Sequence, residues 1–423
     1  MIAAEDMNLG RKSKKPRSAV IIFCFLVMFY DGYDLNLLGY VGPTLMLHLG
    51  IGKPTFGALV SAGLAGFMLG AFVLGDLGDR LGRKRMMVAG TTLFGLMTLG
   101  CLGANTSTAF MVVRFLAGVG MGGAVPNAIA FNMELAPAGM RATVVGIMFV
   151  GFTLGGAAPG WVVAATLHAY GWQGVFLFGA IPPLVIAAAM ALILSESAIF
   201  SVAHVRSSTS DSIKVVRRGF LLRQLFTDGR GISTALLWLA FMCCLGSIVF
   251  VITWSPTLLA GLGIDPARAA LIAAMWQTGG AFGSIAVTLL IDRYGIGVVK
   301  IWLALAVPCA ISIGQVGVSE FLLVVTMLLG GFFGSGGQVG LNAISGMLYP
   351  ASIRSTGVGW AFGIGRVGAV LGPIVGGVLI SSGLHIGRLF ILMSVPFLLV
   401  AASVVVLGLR YSHRVDAGTA PAN

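Results

Sequence analysis

Four ionisable side chains stand where an apolar chain should carry none. Asp31 and Asp34 lie in Tyr30-Asp31-Gly32-Tyr33-Asp34, and Arg114 and Arg366 lie in two other long apolar runs. A charge near a bilayer centre costs at least about 2.5–3.5 kcal/mol on insertion scales, so few chains keep one without a use. A spacing of three puts both carboxylates on one helix face. Two close acids in a low dielectric do not both ionise easily, so they are expected to titrate as a unit, which suits proton carriage. Gly32 between them permits close approach of a helix or a ligand. Arg114 opens a run through Gly118, Gly120, Gly122, Gly123, Pro126 and Asn127. An arginine stays protonated and forks onto carboxylates. Arg114 therefore either grips a substrate carboxylate or holds Asp31 or Asp34, and both roles stay open. Arg366, in Gly363-Ile-Gly365-Arg366-Val-Gly368, is the first choice for a substrate anion contact.

Uncharged candidates follow. Gln338 and Asn342, four apart, share a face, and Asn127 closes the Arg114 run. Tyr33, Phe332, Phe333, Trp254 and Trp360 are rings able to stack on an aromatic ligand. No nucleophile–base pair, metal-ligand spacing or phosphate loop occurs, so no enzyme, metal or cofactor is expected, and the driving force would be a proton gradient. The five cysteines (Cys24, Cys101, Cys243, Cys244, Cys309) all fall in apolar segments and read as inert core thiols.

The elements that must carry these groups follow from composition. The 423 residues are 57% hydrophobic and only 9% charged, with a mean hydropathy of +0.99. So little charge cannot wet a soluble exterior, so the chain is a polytopic membrane protein. The net charge of +12 does not point to nucleic acid, because the charges are spread over short loops. Apolar windows of about 20 residues predict twelve spans: 18–42, 54–76, 85–104, 107–131, 141–167, 172–194, 231–258, 267–291, 300–318, 320–346, 354–382 and 388–410. With the N-terminus cytoplasmic, 21 of the 26 Lys and Arg fall in cytoplasmic segments and only Lys53, Arg268 and Arg388 face the other side. That asymmetry sets both termini inside. Residues 1–17 and 411–423 are then cytoplasmic tails, 18–195 and 231–410 two six-helix bundles, and 196–230 a basic linker. Within the linker, Ile213 to Phe226 could lie as an amphipathic helix on the inner leaflet. The tail after Arg410 reads as unstructured. There is no cleavable leader pattern.

The two bundles are copies. Asp79-Arg80-Leu81-Gly82 recurs 213 residues later as Asp292-Arg293-Tyr294-Gly295. The same shift matches Gly70 to Gly283, Pro137 to Pro350, Arg141 to Arg354, Thr143 to Thr356 and Gly146 to Gly359. One shift that aligns two separate loops marks an internal duplication, and duplicated membrane halves with a site between them are a transporter architecture. The buried charges break the repeat: Asp31, Asp34 and Arg366 pair with Cys244, Ser247 and Thr153. Scaffold features repeat, whereas site features belong to one half.

Gly75-Asp76-Leu77-Gly78-Asp79-Arg80-Leu81-Gly82-Arg83-Lys84-Arg85 joins the second and third spans and resembles the signature loop of the major facilitator superfamily. Its charges could pair across the seam and cap helix ends, and so hold one side shut. The second copy keeps Asp292-Arg293-x-Gly295 but loses the Arg-Lys run. Within that superfamily the chain resembles the aromatic acid:proton symporters. The carrying residues are Asp31-Gly32-Tyr33-Asp34, Arg114 through Asn127, and Gly336-Gly337-Gln338 on through Tyr349-Pro350, Arg354 and Gly365-Arg366-Val-Gly368. Ser195-Glu196-Ser197 departs from the usual Pro-Glu-Ser. The resemblance implies an all-α fold of twelve transmembrane helices. It also implies a monomer in a bacterial inner membrane that imports a small aromatic carboxylate (benzoate, hydroxybenzoate, gentisate or phenylpropionate type) with protons. It further implies functional roles for Asp31, Asp34, Arg114, Glu134, Asp292, Arg354 and Arg366. Asp79, Arg80, Arg83, Glu134, Arg141, Asp292, Arg293 and Arg354 are expected to form a cytoplasmic gate. A drug:proton antiporter, a non-aromatic acid symporter and a transport-inactive sensor are the alternatives; two intramembrane arginines argue against a cationic cargo.

Overall fold

The computed structural model describes residues 17–136, 140–195, 224–227, 230–295, 297–315, 319–349 and 353–416. Everything described is helix or short turn. Hydrocarbon offers no hydrogen-bond partners, so a spanning backbone must satisfy itself internally. The helices are α1 (Arg17–Leu49), α2 (Lys53–Leu81), α3 (Arg83–Gly100), α4 (Ser107–Leu135), α5 (Arg141–Ile193), α6 (Gly231–Gly261), α7 (Pro266–Tyr294), α8 (Val298–Ile313), α9 (Glu320–Leu348), α10 (Arg354–Ser381) and α11 (Ile386–Asp416). Among the described residues ten helices are long and apolar enough to cross a membrane, and α8 is a shorter apolar helix.

Local chemistry sets the ends. The Thr106 hydroxyl accepts from Ala109 N at the start of α4, and Asp265 Oδ2 accepts from Ala267 N and Arg268 N at the start of α7. The repeated Asp-Arg-x-Gly loops end α2 and α7 on Gly82 (φ 106°) and Gly295 (φ 76°), backbone angles that a side chain resists.

Two expectations about element bounds are corrected. The fifth and sixth spans form one 53-residue run, α5, broken inside at Gly171 (φ 62°, ψ −165°). Unbroken, that run would be about 80 Å long, far beyond a bilayer. The chain after Arg410 does not lose its structure at once: α11 continues to Asp416. The ninth span, expected at 300–318, is the 16-residue α8. Residues 196–223, which include most of the expected Ile213–Phe226 helix and part of Ser195-Glu196-Ser197, lie outside the described residues, as do Pro137 and Pro350.

The 213-residue shift carries α1–α4 onto α6–α9 and the two arms of α5 onto α10 and α11, and the packing repeats with it. α2 packs on α4 as α7 packs on α9, and α1 packs on α5 as α6 packs on α10 and α11. The contacts repeat at single residues. A methyl on Gly66 or Gly70 would collide with the backbone of Phe115 or Val119; on Gly279 or Gly283 it would collide with that of Leu328 or Phe332. Each position is the other plus 213. Small residues let helix backbones touch where lipid supplies no hydrophobic drive. The two repeats meet mainly where α1 packs on α6, α2 on α10 and α5 on α7, with a smaller contact of α1 on α7.

Candidate functional site

The four intramembrane charges converge. Asp31, Asp34, Arg114 and Arg366 line one cavity together with Phe67 and Phe152. Leu35, Leu38, Val60 and Leu64 supply the aliphatic remainder of its wall. The cavity measures about 20 Å³, room for roughly one water. In this state it is far too small for an organic acid, and the seam must widen to admit one.

The charges are not equivalent. Arg114 Nη1 donates to Asp34 Oδ1 at 2.7 Å, with both side chains nearly sealed from solvent. That bond answers the question the sequence leaves open for Arg114: it holds Asp34. Asp31 and Arg366, although 7% exposed and partly buried respectively, make no ion pair or hydrogen bond among the described residues. The Arg366 guanidinium instead rests on the Phe67 ring, with its carbon 4.5 Å from the ring centroid. The site thus holds one contact ion pair, Arg114 with Asp34, and one looser couple, Asp31 and Arg366, which attract each other across the cavity without touching.

Arg366 stands where the repeats part. Gly359, Gly363, Arg366, Val370, Pro373 and Gly377 follow a four–three spacing, which places them on one face of α10. The upper residues are zipped to α2. Gly377 packs on the Lys53 carbonyl, Pro373 lies against Gly57, and the Ser61 hydroxyl donates to the Val370 carbonyl at 2.6 Å. Arg366 on Phe67 comes next. Below it a methyl on Gly363 or Gly359 would meet nothing within 4 Å. The other joins lie at the zipped end or beside the cavity. Gln277 Nε2 donates to Asn36 Oδ1 at 3.1 Å, Phe56 meets Trp254 edge-on at 5.5 Å, and His168 reaches Asp265 at 3.6 Å. Among the described residues, these contacts between the repeats close the seam at the end away from the Asp79 and Asp292 loops, and Gly363 and Gly359 of α10 leave space on the side toward them.

The remaining expected ligand contacts lie elsewhere. Tyr33 is fully buried in the α1–α5 packing, and its hydroxyl donates to the Val175 carbonyl. Asn127 ties α4 to α2 through the Leu74 carbonyl and also bonds Gly123. Trp254 is buried at the shut end and donates to the Pro373 carbonyl. Phe332 and Phe333 cluster with Trp302. Trp360 stacks on Trp238 and shares a stripe with exposed Val367, Leu371 and Val378, so it faces lipid. Gln338 donates to Asn342, and the buried Gln338 Oε1 has no partner. None of these lines the cavity.

The gate residues make their described contacts inside their own repeat. Arg83 pairs with Glu134 at 2.8 Å, Arg80 with Asp76 at 2.9 Å, Arg293 lies over Tyr294, and Arg354 Nε donates to the Tyr349 carbonyl. Asp292 is exposed. The side chains of Asp79 and Arg141 lie outside the described residues.

Sequence reasoning passed over Phe67 and Phe152. The signal was available: the 213-residue shift maps both onto glycines, Gly280 and Gly365. The test that singled out the charges, failure to repeat, also singles out these rings.

The comparisons agree with this architecture. A profile of the Major Facilitator Superfamily matches residues 24–314 and 236–422. The chain is 34% identical over 422 residues to the gallate transporter of Pseudomonas putida, covering 95% of this chain and 94% of that one. It is 33% identical to the 4-hydroxybenzoate transporter PcaK of the same species, covering 92% of each. A crystal structure of the nucleoside transporter NupG superposes with a TM-score of 0.73 at 15% identity, over 92% of this chain and 98% of that one, which speaks for the fold alone.

Proposed function

The chain belongs to the Major Facilitator Superfamily, in the branch of its aromatic-acid permeases, and we propose that it imports an aromatic carboxylate together with protons. The carrying observation is the loose Asp31/Arg366 couple in the central cavity: the two charges attract each other but make no ion-pair contact or hydrogen bond among the described residues, so each is left able to take a ligand. A carboxylate would supply Arg366 with its partner, and a proton would neutralise Asp31. Loaded in this way, the seam closes over compensated charges rather than bare ones. The cargoes named for its relatives, gallate and 4-hydroxybenzoate, have this chemistry. An apolar cation would meet Arg366 and find no free anion except Asp31.

The architecture we propose is twelve transmembrane helices in two six-helix bundles, 18–195 and 231–410, joined by a cytoplasmic linker at 196–230. Both termini (1–17 and 411–423) are cytoplasmic, and the carrier is a monomer in a bacterial inner membrane. The repeated packing, the Gly171 break and the Lys and Arg asymmetry support this reading. With that orientation the shut end is extracellular and the described state faces the cytoplasm. The Asp79, Arg80, Arg83, Glu134, Arg141, Asp292, Arg293 and Arg354 set then forms the cytoplasmic gate, which joins the two bundles when the other end opens. Cargo and proton drive the exchange by binding the two states unequally.

Purified protein in liposomes, given labelled benzoate and an imposed pH gradient, tests this. Uptake should be stimulated when the side equivalent to the outside is acidic, and unlabelled hydroxybenzoates should compete. No stimulation would sink symport; competition by quaternary amines in place of acids would sink the choice of cargo.

A further inference from the structure

We infer that Phe67 is the residue that reads the substrate's aromatic ring, and that in the empty site it holds Arg366 until a carboxylate takes it. This deepens the proposed function and rests on it.

A carrier for aromatic acids needs two features within a few ångströms: a cation for the carboxylate and a flat apolar face for the ring. Of the rings first considered, Tyr33, Phe332, Trp254 and Trp360 are engaged elsewhere. Phe67 lines the cavity, and its face already carries the guanidinium of Arg366. The two residues sit at the last closed contact of the α2–α10 zipper, and below them the seam is open.

The support under Phe67 is stiff. A methyl on Gly122 would collide with the Phe67 carbonyl, and one on Gly118 would lie 2.9 Å from its amide. α4 therefore clamps the α2 backbone at this residue. Arg366 belongs to the other repeat, so cation and ring separate when the repeats move. A guanidinium on an aromatic face is attracted but keeps its donors unspent. A carboxylate offers two charge-assisted acceptors and wins. Once the guanidinium shifts onto the carboxylate, the Phe67 face is exposed to the ring attached to it. In the empty carrier the same face holds the guanidinium in place while Asp31 faces it across the cavity. Phe152, the other ring at the cavity, carries no cation in its cation–π range, so it lacks this coupling.

The test is selectivity measured within each variant. Benzoate and cyclohexanecarboxylate carry the same charge on rings of similar size, but only benzoate has a π face. Labelled benzoate uptake in liposomes is competed with each acid in the native protein and in Phe67→Leu, Phe67→Met, Phe67→Tyr and Phe152→Leu. Aromatic pairing corresponds to a preference of roughly 2- to 12-fold. That preference should fall toward one in Phe67→Leu and Phe67→Met, and persist in Phe67→Tyr and Phe152→Leu. Using two aliphatic variants covers the failure of either to fold. An unchanged preference in the aliphatic variants, a loss confined to Phe152→Leu, or no preference in the native protein would overturn the inference. Absence of benzoate uptake by the native protein would instead overturn the proposed function.

Discussion

Arg114 and Asp34 form a 2.7 Å ion pair within one repeat that the other repeat replaces by bulk. Gly63 lies beside it: a Cβ there would be in ordinary van der Waals contact, 3.6 Å from Arg114 Nη2. The shift of 213 places Trp276 opposite Gly63, Met327 opposite Arg114 and Ser247 opposite Asp34. The buried Trp276 indole packs on Gly330 and Gly334 and donates to the Ser335 hydroxyl, while Gly331 packs on the Trp276 backbone. One half spends its central volume on a charge pair, the other on an indole. Function is therefore carried asymmetrically on a symmetric frame.

Removing one partner of that pair strands a buried charge, which costs about 3–5 kcal/mol. Arg114→Gln should lower the melting temperature in detergent markedly. The double variant Asp34→Asn/Arg114→Gln should recover most of the loss, because no charge is then left alone. A double variant as unstable as the single would show that Arg114 supports the fold by packing.

Arg366 should behave in the opposite way. It makes no contact ion pair, only a longer-range attraction to Asp31, an acid that can take a proton when the cation is gone, so Arg366→Ala should lower the melting temperature less than Arg114→Gln does while uptake is lost. Arg366→Lys keeps the charge but not the fork and should raise the KM for the acid about tenfold or more. Unchanged uptake in Arg366→Ala removes the residue from the site.

Asp31 faces the cavity without a fixed cation, so proton coupling should fail selectively in Asp31→Asn. Uptake driven by a pH gradient should disappear. Exchange of labelled for unlabelled acid at equal pH, which needs no net proton movement, should persist. Loss of both would mean that Asp31 binds cargo rather than protons.

The Gln277–Asn36 hydrogen bond joins the repeats just beyond the cavity, where both side chains are buried. Gln277→Leu leaves the Asn36 carbonyl oxygen without its donor, at a cost of about 1–3 kcal/mol. The shut end should then open more often. A cysteine placed at Gly363, on the open face of α10, should be labelled more slowly by an impermeant maleimide from the cytoplasmic side. Equal labelling rates with and without Gln277→Leu would show that this bond does not hold the state.

Much of this was legible in the residues. Apolar run lengths located the helices, and the 213-residue repeat read from Gly70 and Gly283 reappears in paired contacts such as Gly70–Val119 and Gly283–Phe332. Helix ends and merged elements were less legible: nothing in the composition of 141–194 announces that α5 runs on past a single broken residue at Gly171. The charges announced themselves because lipid penalises them. Tyr33, Trp254 and Trp360 misled, because an aromatic side chain in an apolar helix has the same sequence signal whether it faces ligand, core or lipid.

The sequence by itself determined that the chain crosses a membrane in two related halves and that Asp31, Asp34, Arg114 and Arg366 are its costly residues. Hydrophobicity, repetition and the price of a buried charge are properties of residue types and intervals, so they can be read without coordinates. Only the tertiary structure decided which acid Arg114 neutralises, that Arg366 rests on Phe67, and which end of the seam is shut. Those facts depend on which faces of helices hundreds of residues apart are pressed together, and no local interval encodes them.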